Sequence, residues 1–273
     1  MLLHGLEGSA NSGYCLSFTQ SALTRGFGVH RLNMRTCGGT EELCETTYHS
    51  GLTSDTREVI ERLRNRSIGP VFVVGFSLGG NVALKLAAEL CQTNFVAGVV
   101  AISTPIELAV CVRAMNKLSN FLYTRRFLDR LCSRVRRKSR LTPHLFGDLS
   151  ALNAVKSIWE FDEKFTAPLF GFGTALNYYD TQSAARFLHA IRVPTLAITA
   201  KDDPLVPFEV YNNPVFQTNP ALELLATEHG GHLGFLSRSR PRFWVDEVAL
   251  AWIEKVGQLG DYEQTSADRL TPV

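Results

Sequence analysis

Ser77 sits in Gly75-Phe76-Ser77-Leu78-Gly79, between the apolar run Val71-Phe72-Val73-Val74 and a helical pattern that begins at once. The run is β-branched and aromatic, and short enough for a fully buried strand. From Asn81 to Leu90 the residues Val82, Leu86 and Leu90 share one helical face, with Ala83 and Ala87 beside them. A residue in so tight a strand-to-helix turn is strained, and glycines on both sides remove Cβ clashes. The turn lifts the hydroxyl above the N-terminus of the following helix, whose free N–H groups suit a developing oxyanion. That is the setting of a nucleophilic serine. The bland alternative is a plain glycine-rich turn.

A nucleophilic serine needs a base, and the base needs an orienting acid. VPTLAITAKDDPLVP (193–207) reads as a strand running into Asp202-Asp203-Pro204. In an open α/β sheet, ligand groups lie just past the carboxyl ends of strands. Asp203 fits best as the acid, at the strand tip with Pro204 fixing the turn. Asp202 is its backup, and for either one a turn former is the bland reading. A further apolar run, Leu222 to Ala226, precedes His229-Gly230-Gly231-His232-Leu233-Gly234-Phe235. The glycines free this loop to bring an imidazole over Ser77. His232 is the expected base, and His229, nearer the strand, the structural one. Neutral His232 takes the serine proton while Asp203 holds its tautomer. At the start of the chain, His4-Gly5-Leu6-Glu7-Gly8-Ser9 can point a backbone N–H into the same site. The expected oxyanion hole is the N–H of Leu78 plus that of Leu6, with His4 organising the loop. No His/Asp cluster has metal-ligand spacing, so neither metal nor cofactor is expected.

These pieces require a frame. Strand and helix patterns alternate, which predicts α/β architecture with a mostly parallel sheet covered on both faces. Helices are predicted near 13–25, 55–65 and 243–256, and strands at 27–33, 71–74, 95–103, 193–200 and 222–226. Residues 106–190 break the rhythm with amphipathic helical patterns. The expected division is a core over 1–105, a helical cap over 106–190, more core over 191–256 and a loose polar tail over 257–273. Arg125, Arg126, Arg130, Arg134, Arg136, Arg137, Lys138 and Arg140 crowd one stretch of the cap with only Asp129 against them. Such a stretch (125–140) can touch an anionic membrane surface, but a solvated helix face is the favoured reading.

The bulk numbers exclude more than they select. The 273 residues can bury a large core. A net charge of +2 gives no general attraction to nucleic acid. No apolar run is long enough to span a bilayer, and MLLHGLEGS lacks the basic start of a signal peptide. Cys15, Cys37, Cys44, Cys91, Cys111 and Cys132 show no CxxC spacing, so reduced thiols in the cytoplasm are expected. Nothing in the sequence sets an oligomeric state.

The segments HGLEGS, TTYHSGLTSD, VGFSLGGN, NYYDTQSA, KDDPLVP and HGGHLGF stand in this order. In this the chain resembles the YheT-type α/β-hydrolases, themselves similar to the abhydrolase-domain lipases and acyl-ester synthases. The resemblance covers about residues 2–256. It implies the α/β-hydrolase fold, with Ser77, Asp203 and His232 as a triad and 106–190 including a lid over an acyl site. It implies carboxylic-ester hydrolysis, or acyl transfer to an alcohol, on medium-chain or lipid-like substrates. Tyr178 and Tyr179 fall near the lid's return, where a packing role is expected. Family members usually carry some tens of residues before HGLEGS. Here Met1 stands three residues before His4, so the first strands are expected to be missing, leaving a short strand and an exposed sheet edge. The expected function is a serine esterase working through an acyl-enzyme on Ser77. The alternatives are an acyltransferase at the same site and, from another class, an inactive N-terminally truncated fragment or lipid-binding module.

Overall fold

The computed structural model describes residues 1–66, 69–93, 95–238 and 242–268, with side chains as far as 258. Six strands form one parallel sheet in the order β2-β1-β3-β4-β5-β6. They are β1 (Leu2–Leu3), β2 (Arg31–Leu32), β3 (Phe72–Phe76), β4 (Gly98–Ile102), β5 (Thr195–Ala200) and β6 (Leu222–Thr227). Phe76 pairs with Ile102 and Ile102 with Ile198, so the carboxyl ends of β3, β4 and β5 reach one rim together. Every residue of these three strands is buried, as expected for parallel strands covered on both faces.

Helices provide the cover. Phe18 of α1 (Gly13–Thr24) and Val245, Ala249 and Ile253 of the last helix (Trp244–Asp268) pack on Val74, Phe76, Val100 and Ile198. Ile60 of α2 (Ser54–Asn65) and Val82, Ala83 and Leu86 of α3 (Leu78–Glu89) pack on the other face, against Leu3, Val73, Val99 and Ala101. Alternate residues of each strand thus serve opposite layers.

The expected strand over 27–33 is only Arg31–Leu32, because its single partner, β1, offers two residues to pair with. β1 itself is short but internal. Leu2 and Leu3 are buried, Leu2 N–H donates to His30 O, and Val74 N–H donates to Met1 O. The last helix does not stop at Val256 but continues to Asp268, so 257–268 is helical rather than a loose tail. No proline interrupts it there, and residues 269–273 lie outside the described residues.

Between β4 and β5 come α4 (Leu108–Met115), α5 (Phe121–Leu141) and a series of short helical turns ending at Ala190. They have their own apolar core, including Leu108, Val112, Leu128, Leu131, Val135, Phe161 and Tyr178. The basic stretch is not uniformly solvated, as the sequence suggested. Arg134 and Lys138 are buried with Leu131 and Val135 on the inner face of α5. Positions 131, 134, 135 and 138 follow helical spacing, which carries two cations inward with the apolar residues. Lys138 Nζ donates to the carbonyls of Glu41 and Cys44. Arg137 pairs with Glu41, and Arg125 with Asp129. No helix among the described residues is long and apolar enough to cross a membrane.

Candidate active site

The turn between β3 and α3 is as tight as the spacing implies. Ser77 has φ 53° and ψ −120°, a backbone state that costs a non-glycine residue about 1–3 kcal/mol. A Cβ on Gly75 would come within 2.3 Å of the Gly79 carbonyl oxygen, and one on Gly79 within 2.4 Å of the Leu3 carbonyl oxygen. Both obstacles are backbone and cannot rotate away. Gly75→Ala is therefore expected to lower stability by about 3 kcal/mol through overpacking, with loss of activity as the turn is pushed off Ser77. Urea unfolding of the variant, read with its turnover, checks both.

His232 stands at the rim in the loop after β6. Its Nδ1 lies 2.8 Å from Asp203 Oδ2 and its Nε2 lies 2.9 Å from Ser77 Oγ. An N–H at Nδ1 donating to the carboxylate leaves Nε2 free to accept the serine proton. The Asp203 side chain has no exposure, and its Oδ1 accepts the N–H groups of Leu205 and Val206. The sequence's backup acid does something else. Asp202 accepts the Gly230 and Gly231 N–H groups at 2.9 and 2.8 Å and faces His229 Nδ1 at 3.3 Å. Those N–H groups hold its carboxyl below the usual range and tie the histidine loop to the end of β5. His229 is exposed, and its recorded side-chain contact is with Asp202. His4 is buried, with Nδ1–H donating to Gly5 O at 2.8 Å and Nε2 accepting the Met34 N–H at 3.1 Å. Burial lowers its pKa, in keeping with a neutral ring that organises the loop.

The two residues expected to supply the oxyanion hole line the same cavity. Leu6, Ser77, Leu78 and His232 all line one cavity of about 80 Å³. The N–H of Leu78 opens α3, where no intrahelical acceptor exists. Gly5 N–H donates to the Tyr14 hydroxyl and Glu7 N–H to the Tyr48 hydroxyl, both at 2.9 Å. Between them, the Leu6 N–H makes no hydrogen bond among the described residues.

Much of the remaining lining is apolar and comes from the cap: Leu108, Val112 and Met115 of α4, Phe127 and Leu131 of α5, and Ile158 beyond. Its polar lining was not foreseen. Asp162 begins a π-helical turn (Asp162–Thr166) and accepts the Tyr179 hydroxyl at 2.6 Å, while the Tyr178 hydroxyl donates to Ser50 Oγ at 2.6 Å. Both tyrosines are buried in the cap, and both line the cavity. No local pattern marks Asp162, because only the fold brings the Tyr179 hydroxyl to it.

Burial pushes the Asp162 carboxyl up to about 6. Its unfolded value is about 3.9. Between those values the folded state holds the extra proton, so stability falls as pH rises through that window and stays lower above it. Asp162→Asn remains neutral throughout. The melting temperature of the variant relative to wild type is therefore expected to rise between pH 4 and pH 8, a trend thermal melts at both ends would measure.

Comparison with known proteins adds an independent line. The profile of the alpha/beta hydrolase fold family matches residues 1–239. Putative esterase YheT of Escherichia coli (strain K12) is 35% identical over 93% of this chain and 75% of its own length. Phospholipase ABHD3 of Mus musculus is 27% identical over 95% of this chain, which spans only 64% of that protein. Among solved structures, the Pyrococcus furiosus esterase Pf2001 superposes with a TM-score of 0.56 at 18% identity, over 94% of this chain and 79% of that one.

Proposed function

From a chain that belongs to the α/β-hydrolase fold family, and within it to the relatives of YheT, we infer a carboxylic ester hydrolase that works through an acyl-enzyme on Ser77. The observation that carries this reading is His232 lying between Ser77 Oγ and Asp203, with Ser77 and His232 lining a mostly apolar cavity. Ser77 Oγ attacks the acyl carbonyl as His232 Nε2 takes its proton. The carbonyl oxygen becomes an oxyanion facing the Leu6 and Leu78 N–H groups. His232 then protonates the leaving alcohol. Water, deprotonated by the same imidazole, attacks the acyl-enzyme and releases the acid. Asp203 keeps the proton on Nδ1 and stabilises the imidazolium, and no cofactor enters the sequence.

The cavity's apolar lining favours a single acyl chain of medium length. Each methylene that reaches it should contribute about 0.8 kcal/mol, a rise of about fourfold in kcat/KM until the cavity is full. A series of p-nitrophenyl esters should therefore show a burst of nitrophenol equal to the enzyme present, then a maximum at intermediate chain length. Absence of both burst and turnover would sink the hydrolase reading. Acyl transfer uses the same acyl-enzyme, and added alcohol competing with water would yield ester in place of acid.

We also propose that the substrate is met at an anionic lipid surface, through the start of α5 rather than the whole of 125–140. Leu118 and Leu122 are 89% and 80% exposed, and Phe121 and Tyr123 are exposed beside them. Lys117, Arg125 and Arg126 flank this apolar corner, whereas Arg134 and Lys138 are buried. Apolar side chains within a ring of cations suit an interface with acidic headgroups. The chain should sediment with phosphatidylserine-containing vesicles and less with phosphatidylcholine alone. Leu118→Ser with Leu122→Ser should abolish this, and self-association on a sizing column in its place would overturn it. The six cysteines are all free, which supports a reducing, cytoplasmic setting.

A further inference from the structure

Glu7 follows Leu6 at the third position of a turn closed by Gly8 N–H to Gly5 O. Its φ is 53°, a backbone state that this turn position normally reserves for glycine or asparagine. Something must hold a glutamate there. Its carboxylate and the Arg134 guanidinium are 5% and 4% exposed, and Arg134 Nε donates to Glu7 Oε1 at 2.7 Å. Tyr48 acts on Glu7 twice. Its hydroxyl accepts the Glu7 N–H at 2.9 Å and donates to Glu7 Oε1 at 3.1 Å. The Arg134 guanidinium lies over the Tyr48 ring, 4.7 Å from its centroid. One helical turn earlier, Arg130 Nη1 donates to the Glu7 carbonyl at 3.2 Å. Two arginines of the cap and a tyrosine of the 34–51 loop thus converge on one residue of the catalytic rim.

The geometry points to Glu7, Arg134 and Tyr48 as a positioning set that aims the Leu6 N–H into the site. The inference rests on the hydrolase reading above and adds the part of the fold that holds one of its two oxyanion donors. The N–H groups on either side of Leu6 are spent on the Tyr14 and Tyr48 hydroxyls. The Leu6 N–H belongs to the Gly5–Leu6 peptide, whose carbonyl accepts the Gly8 N–H that closes the turn, and the Tyr48 and Arg134 bonds hold Glu7 in the left-handed third position on which that turn depends. Because Arg134 belongs to α5, whose Phe127 and Leu131 line the acyl cavity, the cap that receives the chain also holds the donor. An ion pair with this little exposure gains little over an apolar pair of the same shape, but its geometry is specific. That suits a part that fixes orientation.

The test compares Tyr48→Phe, Glu7→Ala and Glu7→Gln with wild type on one p-nitrophenyl ester. Loss of an aligned oxyanion donor costs about 10²–10³ in kcat. Tyr48→Phe keeps the ring under Arg134 and loses only the hydroxyl, so it carries the test even if Glu7→Ala does not fold. Both variants are expected to lose kcat by about tenfold or more with KM nearly unchanged, as befits an interaction made only in the transition state. Binding of a trifluoromethyl ketone, which forms the tetrahedral adduct, should weaken in parallel. Glu7→Gln, which keeps an Oε1 acceptor for Tyr48 and Arg134, should recover most of the loss. Tyr48→Phe with wild-type kcat, or with a loss confined to KM, overturns the inference while leaving the hydrolase intact. A wild-type chain that turns over no ester overturns the hydrolase reading and this inference with it.

Discussion

Ser77→Ala is expected to lower ester turnover by about 10⁶ and to abolish labelling by a fluorophosphonate, with the fold retained. The magnitude is that of removing the nucleophile from a working serine–histidine pair. The fold should survive because alanine differs from serine by one oxygen, whose recorded partner is His232 Nε2. Adding His232→Ala to Ser77→Ala should cost almost nothing further, since neither residue works without the other. Ser77→Gly separates activity from stability. The backbone at 77 has φ 53°, so glycine relieves the strain and should raise the melting temperature while turnover stays lost. A Ser77→Ala protein that still hydrolyses esters at the wild-type rate would refute the assignment.

Asp203→Asn is the second large effect, expected at about 10⁴ in kcat. Its cause can be followed atom by atom. Asp203 Oδ1 accepts two backbone N–H groups, from Leu205 at 2.8 Å and Val206 at 3.0 Å. An asparagine must keep its carbonyl oxygen there, because an amide NH₂ would face two donors. The NH₂ then points at His232 Nδ1, which becomes an acceptor. The ring proton moves to Nε2, and His232 can no longer take the proton of Ser77. The variant should fold, label slowly and show the altered tautomer in the ¹⁵N chemical shifts of His232. Asp203→Ala differs in kind. It orphans the Leu205 and Val206 N–H groups, and should cost about 1–3 kcal/mol of stability as well as activity.

The arrangement of the candidate site was legible where local sequence carries the geometry. Ser77 announces itself because a buried strand and a helix leave no room between them except through glycine. Asp203 and His232 follow strand tips, and a parallel sheet brings its carboxyl ends to one rim. The sheet was legible through its apolar runs, less so at β2, whose length depends on a two-residue partner. What lies across space was not legible. Glu7 and Arg134 are 127 residues apart, and neither charge pattern nor periodicity links them. The basic stretch reads as a solvated face by composition alone. Its helical phase, which sets Arg134 and Lys138 inward, depends on which side of α5 meets the core. Asp202 and Asp203 are adjacent and alike, and only the direction of the turn after β5 separates the loop anchor from the histidine's partner.

The insertion of the cap between β4 and β5 bears on how the protein reaches its working state. Ile102 and Ile198 are neighbours in the sheet, yet the whole cap is threaded between them. Closing so long a loop is a modest thermodynamic cost, since each doubling of length adds only about 0.6 kcal/mol, but it weighs on the rate. Ser77 lies before that closure, and Asp203 and His232 after it. During refolding the first half can build β3, β4 and α3 from nearby chain, and the cap can gather its own apolar core. The hydrogen bond between Ser77 and His232 forms only when β5 docks on β4. Recovery of fluorophosphonate labelling should thus lag behind recovery of helical signal, making enzymatic competence a clock for the last strand to join.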